Sequence, residues 1–159
     1  MNLYLKQRVF SWKDRFEVYD ELGNVCYTVE GEMFTFGKKL HVFDRFGQER
    51  VFIREKAWSL FPKYYIDRNG CEVAEVVREF SWFKPRYTIR GLDWQVFGDF
   101  WDHEYEINNG ILPIVRVSKE WFSWGDAYRL WIDDGVDEAT ALAVVLIIDA
   151  CLERQSNYT

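Results

Sequence analysis

The run Ala139-Thr140-Ala141-Leu142-Ala143-Val144-Val145-Leu146-Ile147-Ile148 limits what this chain can fold into more than any other segment. It follows Asp137-Glu138, an acidic start that suits the positive end of a helix dipole, and it stays almost without a polar face to Leu152. The β-branched residues argue weakly for a strand, but length and Ala/Leu content decide for a helix over residues 137–152. An α-helix apolar on every side has to be surrounded. The ten residues between Glu138 and Asp149 fall well short of the roughly 20 that a bilayer-spanning helix needs. The surroundings must therefore be protein, with Leu142, Val145, Leu146 and Ile148 as core side chains.

The rest of the chain reads as β-structure. Gly23-Asn24, Gly37, Gly47, Asn69-Gly70, Gly91, Gly98 and Asn109-Gly110 place turn residues at hairpin intervals. Between them, Arg86-Tyr87-Thr88-Ile89-Arg90 and Ala127-Tyr128-Arg129-Leu130 alternate polar and apolar with a period of two. This spacing predicts twelve strands over about residues 3–133 and leaves no room for the crossover helices of a parallel sheet. Small barrels fill themselves with their own side chains, whereas a larger one needs a plug. Twelve strands and one apolar helix predict a mainly β fold: a closed antiparallel barrel with a central C-terminal helix. It forms one domain over residues 1–159, with a short tail at 153–159.

Composition agrees with a folded domain. Apolar residues make up 48% and aromatic residues 19% of the 159, which excludes disorder. Residues 1–98 carry 16 basic and 14 acidic groups and residues 99–159 carry 4 and 12, so any basic face has to come from the first part. A net charge of −6 excludes global attraction to nucleic acid. Cys26, Cys71 and Cys151 are unclustered and fit a reducing cytoplasm rather than a disulfide framework or zinc site. Met1-Asn2-Leu3-Tyr4-Leu5-Lys6-Gln7-Arg8 alternates like a strand and lacks the pattern of a signal peptide.

Four segments echo one another: Phe10-Ser11-Trp12, Trp58-Ser59-Leu60, Phe80-Ser81-Trp82 and Phe122-Ser123-Trp124. Their starts are unevenly spaced, so they are recurring hairpin corners and not solenoid repeats. Lys6-Gln7-Arg8-Val9-Phe10-Ser11-Trp12, Gly37-Lys38-Lys39-Leu40-His41-Val42, Glu79-Phe80-Ser81-Trp82-Phe83-Lys84-Pro85-Arg86-Tyr87, Gly98-Asp99-Phe100 and Ser118-Lys119-Glu120-Trp121-Phe122-Ser123-Trp124-Gly125-Asp126 resemble the LURP-one-related family, in its bacterial YxjI-like branch. The resemblance covers nearly the whole chain. It implies the tubby C-terminal-like fold, a twelve-stranded barrel around a central helix, shared with tubby proteins and phospholipid scramblases. From the tubby proteins it implies phosphoinositide recognition through a basic surface. The cysteine-rich cluster of scramblases is missing.

Lys38 and Lys39, with Lys6 and Arg8, are the candidate headgroup ligands, in a third of the chain that also holds Lys13, Arg15, Arg45, Arg50, Arg54 and Lys56. The competing reading is a solvated strand face balanced by the nine acids among residues 1–56. Trp12, Trp58, Trp82, Trp121 and Trp124 are expected to pack inward and close the barrel ends; exposed at one rim, they would instead suit a lipid–water interface. Asp102, Glu104 and Glu106 would share one strand face and could meet a hard cation, although pairing with arginine is plainer.

Catalysis has little to stand on. His41 and His103 are the only histidines, and no nucleophile elbow, phosphate loop, metalloprotease helix or dinucleotide fingerprint is present. The sequence therefore predicts a non-catalytic cytoplasmic binding or scaffold protein, peripheral to the membrane, without a cofactor. Its expected partner is an anionic phospholipid or an unidentified protein. The rivals are a hydrolase with rim carboxylates and a protein-interaction module with an aromatic exterior.

Overall fold

The computed structural model describes residues 1–6, 15–32, 35–100, 102–122 and 125–156. Twelve strands follow in chain order: β1 (Asn2–Lys6), β2 (Arg15–Tyr19), β3 (Val25–Gly31), β4 (Lys39–Asp44), β5 (Glu49–Glu55) and β6 (Lys63–Arg68). They continue as β7 (Cys71–Glu79), β8 (Arg86–Arg90), β9 (Trp94–Asp99), β10 (Glu104–Asn109), β11 (Leu112–Phe122) and β12 (Gly125–Ile132). Each pairs antiparallel with its sequence neighbour, and β1 closes the ring against β12 from Asn2↔Trp131 to Lys6↔Ala127. Consecutive hairpins leave no free edge between these strands, which removes the template for edge-to-edge association.

Alternation aims one side of every strand inward. Leu3 and Leu5, Leu40 and Val42, Val51 and Ile53, Tyr64 and Ile66, and Leu130 and Ile132 are buried in register around the ring. Onto them packs α1 (Glu138–Ser156), whose residues from Ala139 to Leu152 are all buried. Each large aliphatic side chain so enclosed stabilises the fold by about 1.5–3 kcal/mol. The helix runs four residues past the expected end at 152, so residues 153–156 are its last turn and not a tail.

Asp137 caps the helix start. Its carboxylate accepts the Thr140 N–H at 3.0 Å and hydroxyl at 2.6 Å and lies 3.3 Å from Arg68. Burial pushes that carboxyl upward, but the Thr140 bonds and Arg68 outweigh it and hold it below its ordinary range. The up-and-down order gives the barrel two distinct ends. Asp133, Asp134, Asp137 and Glu138 stand at the entry end, together with Asp20 and Glu21 of the β2–β3 turn. At the exit end the helix finishes among the β3–β4, β5–β6, β7–β8 and β9–β10 connections.

Candidate binding rim at the helix exit

Glu55, the last residue of β5, organises the exit end. Its backbone N–H donates to the Lys38 carbonyl at 2.7 Å, and its carboxylate accepts the Lys38 N–H at 2.9 Å and Arg154 Nη1 at 2.7 Å. Only 8% of this side chain is exposed, so its charge is neutralised from both sides. The approach requires glycine at 37. The backbone there is left-handed at φ +80°, and a Cβ would stand 2.9 Å from the Glu55 carbonyl oxygen. Lys38 is half-buried beside this carboxylate. Burial holds its ammonium below the usual lysine value, against the opposing pull of Glu55 and Glu153.

Two adjoining recesses open on this rim. The smaller, about 210 Å³, is walled by Phe36, Trp58, Phe61 and Pro62, with Glu55 and Arg154 at its side. The larger, about 400 Å³, is lined by Ser59, Leu60, Pro62, Arg78, Arg154 and Gln155. Arg78, near the end of β7, donates from Nη2 to Gln155 Oε1 at 2.6 Å, so its guanidinium is held toward the last helical turn. Below them Cys151 is enclosed, and burial pushes its thiol up to about 12. It is an inert packing residue rather than a nucleophile.

The tryptophans overturn the expectation of inward packing. Trp58 is 93% exposed, Trp82 84% and Trp121 77%, and Phe36, Leu60, Phe80 and Phe83 are exposed as well. Trp58 and Trp82 stand on connections past the ends of the strands and Trp121 on the last residues of β11, where no second layer among the described residues covers them. Phe80 contacts Trp82 edge-on at 4.9 Å between ring centroids and Phe61 at 6.3 Å, linking the β5–β6 and β7–β8 connections into one aromatic rim. Lys56 and Lys84 are exposed on the same connections, and Arg86 is exposed at the start of β8. Trp12 and Trp124 lie outside the described residues.

The three candidate headgroup ligands among the described residues, Lys38, Lys39 and Lys6, are not brought together. Lys39 opens β4 and is 3.5 Å from Glu32, while Lys38 turns to Glu55. Lys6 ends β1 with its ammonium 5.7 Å from the Tyr19 ring centre. Three strand spacings, about 14 Å around the ring, separate β1 from β4. Arg8 and Lys13 lie outside the described residues. Of the other early cations, Arg15 faces Glu30, Arg50 faces Asp44, and Arg54 bonds Asp67 and Glu72. That is the balanced outer face weighed as the alternative.

The acidic trio fares similarly. Asp102 sits in the turn before β10, not on the strand face of Glu104 and Glu106, because His103 beside it takes the left-handed conformation at φ +55°. Glu106 pairs with Arg116 at 2.9 Å, and Glu104 accepts the Lys119 N–H at 3.2 Å. Among the described residues no group of three or more His, Cys, Asp or Glu side chains could hold a metal ion. Sequence reading missed Arg78, Arg154 and Gln155. The available signal was Trp58-Ser59-Leu60-Phe61-Pro62, a corner too apolar for an ordinary solvated turn, next to which cations would gather.

No helix among the described residues is long and apolar enough to cross a membrane. A protein of Bacillus subtilis (strain 168) described as uncharacterized protein YxjI is 37% identical over 152 residues, covering 96% of this chain and 94% of that one. An Arabidopsis thaliana protein solved by X-ray crystallography superposes with a TM-score of 0.66 at 17% identity, covering 94% of this chain and 89% of the other, which supports the fold. The model of the LURP-one-related family matches residues 1–149. With the ring of twelve strands closed on its helix, the chain belongs to the LURP-one-related family.

Proposed function

We propose that this protein is a non-catalytic, cytoplasmic binding protein that docks its exit rim on an anionic membrane surface. The observation that carries this reading is the exposure of Trp58, Leu60, Phe80, Trp82 and Phe83 on neighbouring connections that also expose Lys56 and Lys84, with Arg86 exposed at the adjoining start of β8. Tryptophan settles at the level of lipid headgroups, with its ring in apolar contact and its N–H wet. Each adjacent Lys or Arg adds about 1 kcal/mol at an anionic surface. Contact is peripheral, since the apolar helix is spent inside the barrel.

Against the hydrolase reading stands the engagement of Glu55. It is the acid lining the smaller recess, and Arg154 and the Lys38 N–H occupy it. General acid–base chemistry needs a carboxyl positioned to exchange a proton with substrate. The test is co-sedimentation with phosphatidylcholine vesicles, with and without phosphatidylserine. The wild-type protein should pellet with the anionic vesicles, and Trp58→Ser and Trp82→Ser should each weaken binding without changing the unfolding midpoint. Wild-type protein left in the supernatant with both vesicle types overturns the reading and favours a protein partner for the same rim.

A further inference from the structure

Two connections of the exit rim, residues 56–62 and 80–85, contain no acid. The carboxylates that flank them are engaged: Glu55 holds Arg154 and the Lys38 N–H, and Glu79 accepts the Thr88 hydroxyl at 2.6 Å. Along the strands Arg15, Arg50, Arg54, Arg90, Arg116 and Arg129 each pair with a carboxylate. At the rim, Lys56, Lys84 and Arg86 form no ion pair among the described residues. Three cations are few for anchoring by charge alone, which takes a cluster of about four to eight, and salt screens them. Exposed beside them are Trp58, Leu60, Phe80, Trp82 and Phe83. Burial of these apolar side chains therefore has to supply the larger share of the binding.

The backbone of the first connection points the same way. Trp58 stands in the left-handed region at φ +60°, a conformation that is costly for a bulky residue. His103 adopts it where its bond to Asp149 offsets the cost, and Asn69 adopts it before Gly70 in a hairpin turn that suits a small amide. The Trp58 ring is 93% exposed and returns almost no packing to the fold. Strain kept without an internal return marks a side chain held out for contact. Phe61 and Phe80 tie this connection to the one carrying Trp82, so the anchors are set before binding and lose little freedom on it. Large side chains entering a bilayer need space between headgroups. A flat, tightly packed surface has to be spread to admit them, whereas a curved one already offers gaps. We infer that the rim is an insertion wedge, led by Trp58, that recognises strongly curved, loosely packed anionic bilayers. The inference rests on the membrane docking proposed above and adds the kind of membrane.

Flotation with small sonicated and with large extruded vesicles of one phosphatidylcholine–phosphatidylserine composition, compared at equal accessible lipid, is the test. The wild-type protein should bind the small vesicles about tenfold more tightly, the equivalent of one further apolar side chain buried. Trp58→Gly removes the ring and relieves the left-handed backbone, so it should lose most of this preference while its unfolding midpoint rises. Leu60→Ser and Phe83→Ser should each reduce the preference. Lys56→Gln combined with Lys84→Gln should weaken binding to both sizes alike and leave the preference in place. Equal binding of the wild-type protein to both sizes overturns the wedge and leaves membrane docking standing. Wild-type protein bound to neither removes the docking itself, and the wedge falls with it. A preference that survives intact in Trp58→Gly, or a midpoint that falls there, overturns Trp58 as the leading anchor.

Discussion

His103 Nε2 lies 2.9 Å from Asp149 Oδ1, joining the β9–β10 turn to the core helix across 46 residues of chain. The imidazole also stacks on Tyr128 at 4.5 Å between ring centres. Asp149 is the charged residue within the buried run Ala139–Leu152 of the helix and only 11% of its side chain is exposed, so its oxygens need a partner. His103→Ala should cost about 2 kcal/mol by leaving the carboxyl unsatisfied. Removing both groups together, in His103→Ala with Asp149→Leu, should recover most of that loss. Urea unfolding of the two single variants and the double variant measures the coupling, and strictly additive losses would show that the contact contributes nothing.

The central helix was legible because its evidence is local: the unbroken apolar run from Ala141 to Ile148 covers every face, and that pattern has no solvated solution. The strands were legible for the same reason, through alternation such as that of Arg86–Arg90. The rim was misread because an aromatic residue reports burial only when a second layer faces it, and Trp58 and Trp82 stand on connections beyond the sheet. Arg78 and Arg154 were invisible as a pair, since 76 positions separate them and only barrel closure brings both to one recess. Asp149 was likewise read as a boundary of the apolar run because nothing near it in sequence announces His103.

Gly98 of β9 sits opposite Tyr105 with φ at +134°, and a Cβ there would stand 2.6 Å from the Tyr105 Cα. Beside it Phe100 is buried between Tyr87 and Tyr105, at 5.1 and 5.3 Å between ring centres, where β8 and β9 meet at the single pair Thr88↔Gln95. The glycine lets the chain bend closely enough for that ring to fill the gap. Gly98→Ala should therefore cost at least about 3 kcal/mol through strain and backbone clash. Gly47→Ala, at a positive φ of +76° with open space around it, provides the comparison and should cost less. Thermal unfolding of the two variants decides, and equal losses would assign the effect to dihedral strain alone.

His41 on β4 bridges two carboxylates, with Nε2 2.8 Å from Glu32 and Nδ1 2.5 Å from Glu49, and its ring stacks on Phe52 at 4.7 Å. Burial pulls its pKa down, but the bonds to Glu32 and Glu49 outweigh burial and leave it above the ordinary 6.5. The folded state thus holds this proton more tightly than the unfolded chain does. The contribution is complete below pH 6.5 and is lost as pH rises through the raised folded value. Chemical unfolding at a series of values from about pH 6 to about pH 9 should show a fall in stability that is shallower in His41→Gln. Parallel curves for the two proteins would mean that this bridge does not titrate in that window.

Leu146 lies midway along α1, wholly enclosed by the strands, with Ala143 buried one turn before it. Leu146→Ala should lose about 2–5 kcal/mol, the transfer term together with the cavity left where a rigid ring of strands cannot collapse onto the helix. Leu146→Asp and Ala143→Asp place an unpaired carboxylate at the centre of the barrel, where neither water nor a cation reaches it, and neither variant should yield folded protein. Ile111→Asp, on a turn residue that is 93% exposed, should fold normally and excludes a general intolerance of added acid. Circular dichroism and size exclusion of the expressed variants read the outcome. A folded, monodisperse Leu146→Asp protein would mean that the helix leaves the ring in solution, and the placement of every rim residue that depends on its last turn would fall with it.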